Sequence, residues 1–185
     1  MSSMLHKRFR VHVPHADIHE QPRRGKTVGN AESQLLLGED FIARYLDGDF
    51  VYGQSPHDNY EGYVPLESLK TVQGSDVLTH FCDSASTLVY PQPDIRSRPK
   101  EKIGFMSRLA VCEHSLKDGF VLAAGLGWLP HDHLKPLEAL NEKENFVDTA
   151  LRLKGTPYRY GGRNSAMGID CSALVQLALA RGGVR

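Results

Sequence analysis

The sequence predicts a mainly β fold in which two small β barrels precede a short helical segment. Short apolar runs bounded by Gly, Asp and Pro fill the first three quarters of the 185 residues, a pattern typical of short strands. This pattern occurs twice along the chain, which indicates a duplicated unit. After residue 136 the apolar positions instead recur every three or four residues, as in an amphipathic helix.

The repeat is clearest where two segments of each copy align directly. Residues 47–51 (DGDFV) match residues 117–121 (KDGFV), and residues 62–65 (GYVP) match residues 127–130 (GWLP). An Asp-Gly pair between apolar runs predicts a tight hairpin, because that turn needs positive φ angles that Gly adopts at low cost. Each copy therefore predicts a small barrel of about five short strands.

The recurring pattern, L-x-x-G-E followed by D-G-F and then G-W/Y-V/L-P, resembles the bacterial SH3 (SH3b) domain. The resemblance implies an SH3b-like domain at residues 1–72 and a second one at residues 73–137. Residues 138–185 form a third region of different character.

The first copy carries an insertion that the second copy lacks. Twelve positions separate Phe50 from Gly62, whereas seven separate Phe120 from Gly127. The inserted loop, residues 55–61, is polar and rich in turn residues, with a single aromatic residue. A loop added to a small barrel is a common place for function. The same composition also fits a solvated hairpin tip, so both interpretations stay open.

The third region predicts two helices joined by a glycine-containing loop. Apolar spacing predicts the first helix over residues 146–154, with Gly155 and Pro157 as stop signals. The second is predicted to begin after Asp170, a good N-cap residue, and to end at the glycine pair 182–183. Its predicted apolar face is formed by Leu174, Val175, Leu177 and Ala178. These faces need to dock on the barrels or on another chain to be covered.

Three cysteines without a C-x-x-C pair argue against a disulfide framework. Cys82 and Cys112 are predicted to be small buried residues. Cys171 opens the second helix, where the positive helix end favours a thiolate while the neighbouring Asp170 opposes it. An imidazole is still needed to hold the thiol proton. The residues alone therefore leave Cys171 either as a nucleophile or as a buried filler.

The strings G-T-P-Y-x-Y-G-G-R at residues 155–163 and I-D-C-S-A-L-V-Q at residues 169–176 resemble the start of the NlpC/P60 cysteine peptidase domain. The sequence departs from the family pattern at Tyr160, where Trp is more usual, and at Ala173, where Gly is usual. The resemblance implies a papain-like α+β domain in which Cys171 is the catalytic nucleophile.

With SH3b repeats upstream, the order of domains resembles that of cytoplasmic NlpC/P60 members. The resemblance implies a γ-D-glutamyl–diamino acid endopeptidase that acts in cell-wall recycling on murein peptides with a free N-terminal L-Ala. The candidate substrate-binding residues are Tyr60, Glu61, Tyr158, Asp170 and Ser172. Among them, Asp170 and Ser172 flank the nucleophile, and a carboxylate there suits an ammonium group. Asp170 also has a simpler interpretation as a helix cap only.

In the NlpC/P60 family a histidine downstream of the cysteine helix takes the thiol proton. All nine histidines of this sequence precede Cys171. We therefore expect the catalytic domain to be incomplete here, as part of a longer product, and the 185-residue form to be inactive. One alternative is a non-catalytic SH3b module that binds a cell-wall peptide or a protein partner. Another is a structural role in which the helices pair with another chain.

Charge and targeting signals limit the classes of partner and the cellular location that we expect. The 22 basic and 22 acidic residues give a net charge of zero, so no electrostatic footprint indicates nucleic acid or an anionic membrane. No apolar run approaches the ~18 residues of a membrane span, and the N-terminus lacks an apolar signal core. We expect a cytoplasmic protein that needs no cofactor and takes murein peptide as its partner.

The sequence His131-Asp132-His133 raises the question of a metal site. On a strand, alternate side chains share a face, so the two histidines could hold one ion. No third ligand stands at a known metal-ligand spacing. We therefore favour a surface loop and predict no metal.

Overall fold

The computed structural model describes residues 6–22, 31–74, 76–141 and 144–183. Within these residues the chain forms short strands in five sheets and two α-helices, which confirms the predicted mainly β class. The first seven strands are β1 Lys7–Val11, β2 His15–Ile18, β3 Ser33–Leu36, β4 Asp40–Asp47, β5 Phe50–Gln54, β6 Glu61–Pro65 and β7 Leu69–Thr71. The next eight are β8 His80–Cys82, β9 Ser86–Val89, β10 Glu101–Gly104, β11 Arg108–Leu109, β12 Val111–Lys117, β13 Phe120–Ala123, β14 Gly127–Pro130 and β15 Leu134–Pro136. The helices are α1 Phe146–Arg152 and α2 Cys171–Arg181.

The first barrel combines a five-stranded antiparallel sheet, in the order β6-β5-β4-β1-β7, with the β2-β3 pair. Its core is apolar and almost completely buried: Phe9, Val11, Ala16, Ile18, Leu35, Phe41, Ala43, Val51, Val64 and Leu69. The second barrel consists of the sheets β10-β9, β11-β8-β15 and β12-β13-β14. Its core is Leu37, Cys82, Val89, Ile103, Leu109, Val121, Ala123, Leu129 and Leu134. The domain boundaries at residues 72 and 137 stay a prediction.

Strand registers in the two barrels match the predicted alignment of the repeat. Phe50 pairs with Pro65 in the β5-β6 hairpin, and Phe120 pairs with Pro130 in the β13-β14 hairpin. The predicted two-residue turns are also present, with Gly48 at φ +59° in the first barrel and Gly119 at φ +79° in the second.

Each barrel needs a glycine at the first position of the G-W/Y motif for the same physical reason. Tyr63, next to Gly62, bridges to His19, and Trp128, next to Gly127, bridges to Tyr90. A Cβ on Gly62 would lie 2.7 Å from the carbonyl oxygen of His19, and one on Gly127 would lie 2.7 Å from that of Tyr90. These distances are too short for any side chain, so the motif reflects a close backbone crossing.

The buried side of α2 docks on the second barrel and on Leu36 of the first, whereas the predicted apolar residues Phe146, Val147 and Leu151 of α1 are exposed. A third core forms this contact: Leu36, Phe81, Phe105, Met106, Ala139, Leu153, Ile169, Ala173 and Leu177. Arg181, at the end of α2, is 1% exposed, with its Nε 2.7 Å from Asp83 and its guanidinium 5.3 Å from the centre of the Phe81 ring. The predicted apolar face of α2 was wrong at Val175, which is 46% exposed.

The cysteine prediction is confirmed at Cys82 and wrong at Cys112. Burial raises the pKa of the Cys82 thiol to about 12, as suits an inert core residue. Cys112 is exposed because β12 is an edge strand whose register shifts after this residue.

The His131–His133 segment forms a 3₁₀ turn, not a strand, so its two histidines do not share a strand face. The Nδ1 atom of His133 lies 2.7 Å from the hydroxyl of Thr87. In the part of the chain that the structure describes, no group of three His, Cys, Asp or Glu residues could hold a metal ion. No helix among the same residues is long and apolar enough to cross a membrane.

Candidate functional site

Cys171 is the first residue of α2, and its side chain is exposed. Asp170 is the N-cap, as predicted: its Oδ1 accepts hydrogen bonds from the Ala173 N–H at 2.8 Å and the Ser172 hydroxyl at 2.7 Å. Its Oδ2 accepts a third hydrogen bond, from the Gly161 N–H at 3.1 Å. Asp170 therefore joins the start of the cysteine helix to the loop that precedes it.

A mainly apolar hollow of about 460 Å³ lies beside Cys171. Tyr158 stands at its edge with its side chain 70% exposed, and a backbone bridge to Ile169 fixes its position. Aliphatic side chains line the hollow, among them Val147, Ala150, Leu151, Leu153 and Leu174. None of the described histidines lines it.

The loop before α2 is anchored to both barrels. The Asn164 side chain meets His15 of the first barrel, with 3.2 Å between Nδ2 and Nδ1. The Ser165 hydroxyl donates to the carbonyl of Ala85 in the second barrel at 2.6 Å. The start of the cysteine helix is thus fixed relative to both barrels.

Two tyrosines and two acidic residues interact electrostatically around this loop. The Tyr160 hydroxyl donates to Oε2 of Glu32 at 3.3 Å, and the charge of Glu32, with this hydrogen bond, raises the pKa of Tyr160. Burial raises the pKa of Tyr60, and the nearby Glu32 carboxylate and Tyr160 phenol raise it further. Asp170 also contributes to the raised pKa of Tyr160. We call Tyr60, Tyr160, Glu32 and Asp170 the acidic tyrosine cluster.

The inserted loop forms the tip of the β5-β6 hairpin, and four of its seven residues are exposed: Pro56, Asn59, Tyr60 and Glu61. Both interpretations of the loop, as a functional loop and as a solvated hairpin tip, therefore stay open. Ser55 is fully buried; its N–H donates to the carbonyl of Tyr60, and its own carbonyl accepts from the Asn59 N–H, both at 2.9 Å. Asn59 closes the turn with φ +61°. In the second barrel, the corresponding residues 123–126 line a separate hollow between the barrels instead.

The structure brings most of the predicted site residues close to Cys171 or to the cluster, but not all of them. Tyr158, Asp170 and Ser172 adjoin Cys171, and Tyr60 belongs to the acidic tyrosine cluster. Glu61 is held elsewhere, with its carboxylate 2.6 Å from Nη2 of Arg44 and 2.9 Å from the Tyr52 hydroxyl on an exposed part of the first barrel.

Sequence reasoning missed Glu32 as a member of the cluster. It lies 128 residues from its partner Tyr160, just before β3, and no motif marks it.

Comparisons with known proteins agree with this architecture. Residues 23–69 match the family described as the bacterial dipeptidyl-peptidase SH3 domain. The chain is 52% identical over 160 residues to dipeptidyl-peptidase 6 of Lysinibacillus sphaericus, covering 77% of this chain and 58% of that protein. It is 38% identical over 53 residues to the bifunctional muramidase/DL-endopeptidase CwlT of Bacillus subtilis, covering 28% of this chain and 16% of that protein. The chain thus spans less than two thirds of the length of these relatives.

Solved structures share the fold at low sequence identity. An NlpC/P60 family protein from Bacillus cereus superposes with a TM-score of 0.74 at 16% identity, covering 95% of this chain and 72% of that one. An NlpC/P60 endopeptidase from Photobacterium damselae subsp. piscicida gives 0.64 at 16% identity, covering 96% and 43%. The chain therefore has the fold of an NlpC/P60-like protein and contains a bacterial SH3-like domain.

Proposed function

We propose that the protein is a cysteine endopeptidase that hydrolyses the γ-D-glutamyl–diamino acid bond of murein peptides with a free N-terminal L-Ala. The observation that carries the proposal is the position of Cys171. Its exposed thiol lies at a helix start beside an apolar hollow, directly after Asp170 of the acidic tyrosine cluster. The names of the relatives, a dipeptidyl-peptidase and a DL-endopeptidase, support the same class of reaction.

In the proposed reaction the Sγ atom of Cys171 attacks the γ-carbonyl carbon of the D-glutamyl residue. The amide nitrogen of the diamino acid leaves as a protonated amine, and water then hydrolyses the thioester to free the thiol and the dipeptide. An imidazole is the usual acceptor of the thiol proton. No described histidine lines the hollow, so we assign this base to none of them.

The acidic tyrosine cluster is suited to an ammonium group. Carboxylates make strong charge-assisted hydrogen bonds to a cation, and phenolic oxygens can accept further ones. An α-linked dipeptide spans about 7 Å, at ~3.3–3.6 Å per residue, and the γ-linkage of D-Glu lengthens this by two carbon–carbon bonds. A peptide whose amine meets Glu32 and Asp170 therefore presents its second peptide bond on the side of Cys171. This geometry fits the removal of a dipeptide from a free N-terminus.

The inserted loop supports a preference for short peptides. Its Tyr60, whose pKa is raised by burial and by the Glu32 and Tyr160 side chains, is the residue that we propose narrows the approach to Cys171 from the side of the first barrel. A narrowed approach admits released peptides and excludes cross-linked wall, which suits a cytoplasmic recycling enzyme.

The direct test is incubation of the full-length gene product with the tripeptide L-Ala-γ-D-Glu-diaminopimelate, followed by mass spectrometry. Release of L-Ala-γ-D-Glu is the expected result. The 185-residue chain alone should bind the peptide without cleaving it, because every histidine in it precedes Cys171. Binding without cleavage by the full-length product as well would favour a non-catalytic binding module.

Substitutions of the cluster carboxylates test recognition of the amine. We expect Asp170→Asn and Glu32→Gln each to raise KM about tenfold for the free-amine tripeptide and less than about twofold for its N-acetyl analogue. Asparagine still caps a helix, so the first variant removes charge without removing the cap. Steady-state kinetics on both peptides provide the measurement.

Glu67→Gln is the matched control, since it removes an exposed carboxylate elsewhere on the first barrel. It should leave both KM values unchanged. Equal effects of Asp170→Asn on the two peptides would show that Asp170 is only a helix cap.

A further inference from the structure

We call the loop before α2, residues 153–170, the cysteine loop. A bidentate ion pair is buried where this loop crosses the first barrel. The Arg163 guanidinium meets the Glu39 carboxylate with 2.8 Å between Nη1 and Oε2 and 3.0 Å between Nη2 and Oε1. Arg163 is 3% exposed and Glu39 is 8% exposed. Burial opposes ionisation of Glu39, but the charge and hydrogen bonds of Arg163 outweigh it and lower the pKa of Glu39. Both residues are therefore charged at neutral pH.

Such a pair is weak evidence for stability, because the cost of desolvating two charges can equal their attraction. The second barrel shows that the barrel itself does not require a carboxylate here. The backbone contact of Val11 N–H with the Glu39 carbonyl corresponds to that of Cys82 N–H with the Ser107 carbonyl. Ser107 thus stands where Glu39 does, and its buried hydroxyl has no hydrogen-bond partner among the described residues.

Arg163 connects this pair to the groups around Cys171. Its N–H donates to Oε1 of Gln34 at 2.8 Å, and its Nη1 donates to the Gln34 carbonyl at 2.7 Å. The two preceding residues hold Asp170: Gly161 donates to its carboxylate, and the carbonyl of Gly162 accepts from its N–H at 3.0 Å. The segment that Arg163 attaches to the first barrel therefore includes Tyr160 and binds Asp170, two members of the acidic tyrosine cluster.

Gln34 connects the same pair to the first-barrel side of the cluster. It follows Glu32 by two residues and lies on β3, where its side-chain and backbone oxygens both accept hydrogen bonds from Arg163. The Glu39 carboxylate also accepts a hydrogen bond from the Leu36 N–H of the same strand at 2.8 Å. The ion pair thus joins the segment that holds Asp170 to the strand that follows Glu32.

We propose that Glu39 and Arg163 are positioning residues that set the separation between the carboxylates of Glu32 and Asp170, and thereby the selection for peptides with a free amine. This inference rests on the proposed function. The two residues lie beneath the cluster and touch no substrate. Their effect is to hold the Glu32 carboxylate of the first barrel and the Asp170 carboxylate of the cysteine loop at the spacing that an ammonium group requires.

The kinetic test compares Glu39→Gln and Arg163→Lys with a matched pair elsewhere. Asp83→Asn removes the carboxylate of the buried Asp83–Arg181 pair, which holds α2 on the second barrel without contacting the cluster. In the full-length product, the ratio of kcat/KM for free-amine over N-acetyl tripeptide should fall about tenfold in the first two variants, through KM. Asp83→Asn should leave the ratio unchanged. An unchanged ratio in the first two variants, or an equal fall in all three, would overturn the proposal.

A second measurement needs no turnover and so separates this inference from the proposed function. Spin labels are attached to Cys171 and to a cysteine introduced by Asp58→Cys in the inserted loop, with Cys112→Ser removing the other exposed thiol. The distance distribution should be narrow in the parent and in Asp83→Asn, and shifted or broadened in Glu39→Gln and Arg163→Lys. The same narrow distribution in all four proteins would refute positioning by the ion pair, whether or not the protein is a peptidase.

Discussion

Replacement of Cys171 by alanine is expected to abolish peptide hydrolysis in the full-length gene product. Loss of a catalytic nucleophile lowers kcat by at least about 10⁴-fold, because the covalent step has no substitute. The fold should survive, since the side chain is exposed and exposed substitutions usually change stability by less than about 0.5 kcal/mol. Turnover of the tripeptide and a urea unfolding curve on the same preparation provide the measurements.

Cys112→Ala is the control for this variant. Cys112 is also an exposed free thiol, but it lies on the edge strand β12 and not at the cluster. We expect the Cys112→Ala variant to retain full activity. In the Cys171→Ala variant, Cys112 should remain the exposed thiol that iodoacetamide labels. Measurable hydrolysis by Cys171→Ala, or an equal loss in Cys112→Ala, would reject Cys171 as the nucleophile.

Local patterns in the sequence predicted the parts of the fold that local physics determines. The Asp-Gly turns require positive φ, and the G-W/Y glycines sit at backbone crossings, so both leave a fixed signature in the sequence. The N-cap at Asp170 is local in the same sense, because its carboxylate bonds to groups two and three residues away. The start of α2 at Cys171 and its capping residue could therefore be identified without a structure.

Contacts between distant segments could not be predicted in this way. The buried side of α2 includes Arg181, whose partner Asp83 lies 98 residues earlier, while Val175 faces solvent. Apolar periodicity assigns a charged residue to the surface, and only the docked barrel supplies the carboxylate and aromatic ring that allow its burial. Glu32 joins the cluster for a comparable reason, because a loop 128 residues away folds back onto it.

The second large effect is expected for Gly161→Ala. Gly161 has φ +67°, and a Cβ there would lie 2.3 Å from the carbonyl oxygen of Ala31, a backbone atom that cannot rotate away. Left-handed strain costs an alanine about 1–2 kcal/mol, and the overlap forces the cysteine loop off the first barrel. We expect a loss of more than about 3 kcal/mol in the free energy of unfolding, measured by urea denaturation.

Gly155→Ala separates strain from overlap. Gly155 also has a positive φ, +92°, but no atom lies within 4 Å of the position that a Cβ would take, so an alanine there meets only the backbone strain. The expected loss is about 1 kcal/mol, since alanine also restricts the unfolded chain.

In Gly161→Ala, a shift of the cysteine loop would also break the Tyr160–Glu32 hydrogen bond and the hydrogen bond from the Gly161 N–H to Asp170. Gly161→Ala should therefore weaken selection for the free amine at temperatures where the protein is still folded. Equal losses of stability in Gly161→Ala and Gly155→Ala would show that the cysteine loop does not closely approach the first barrel at Ala31. That outcome would contradict the close backbone contact between Gly161 and Ala31.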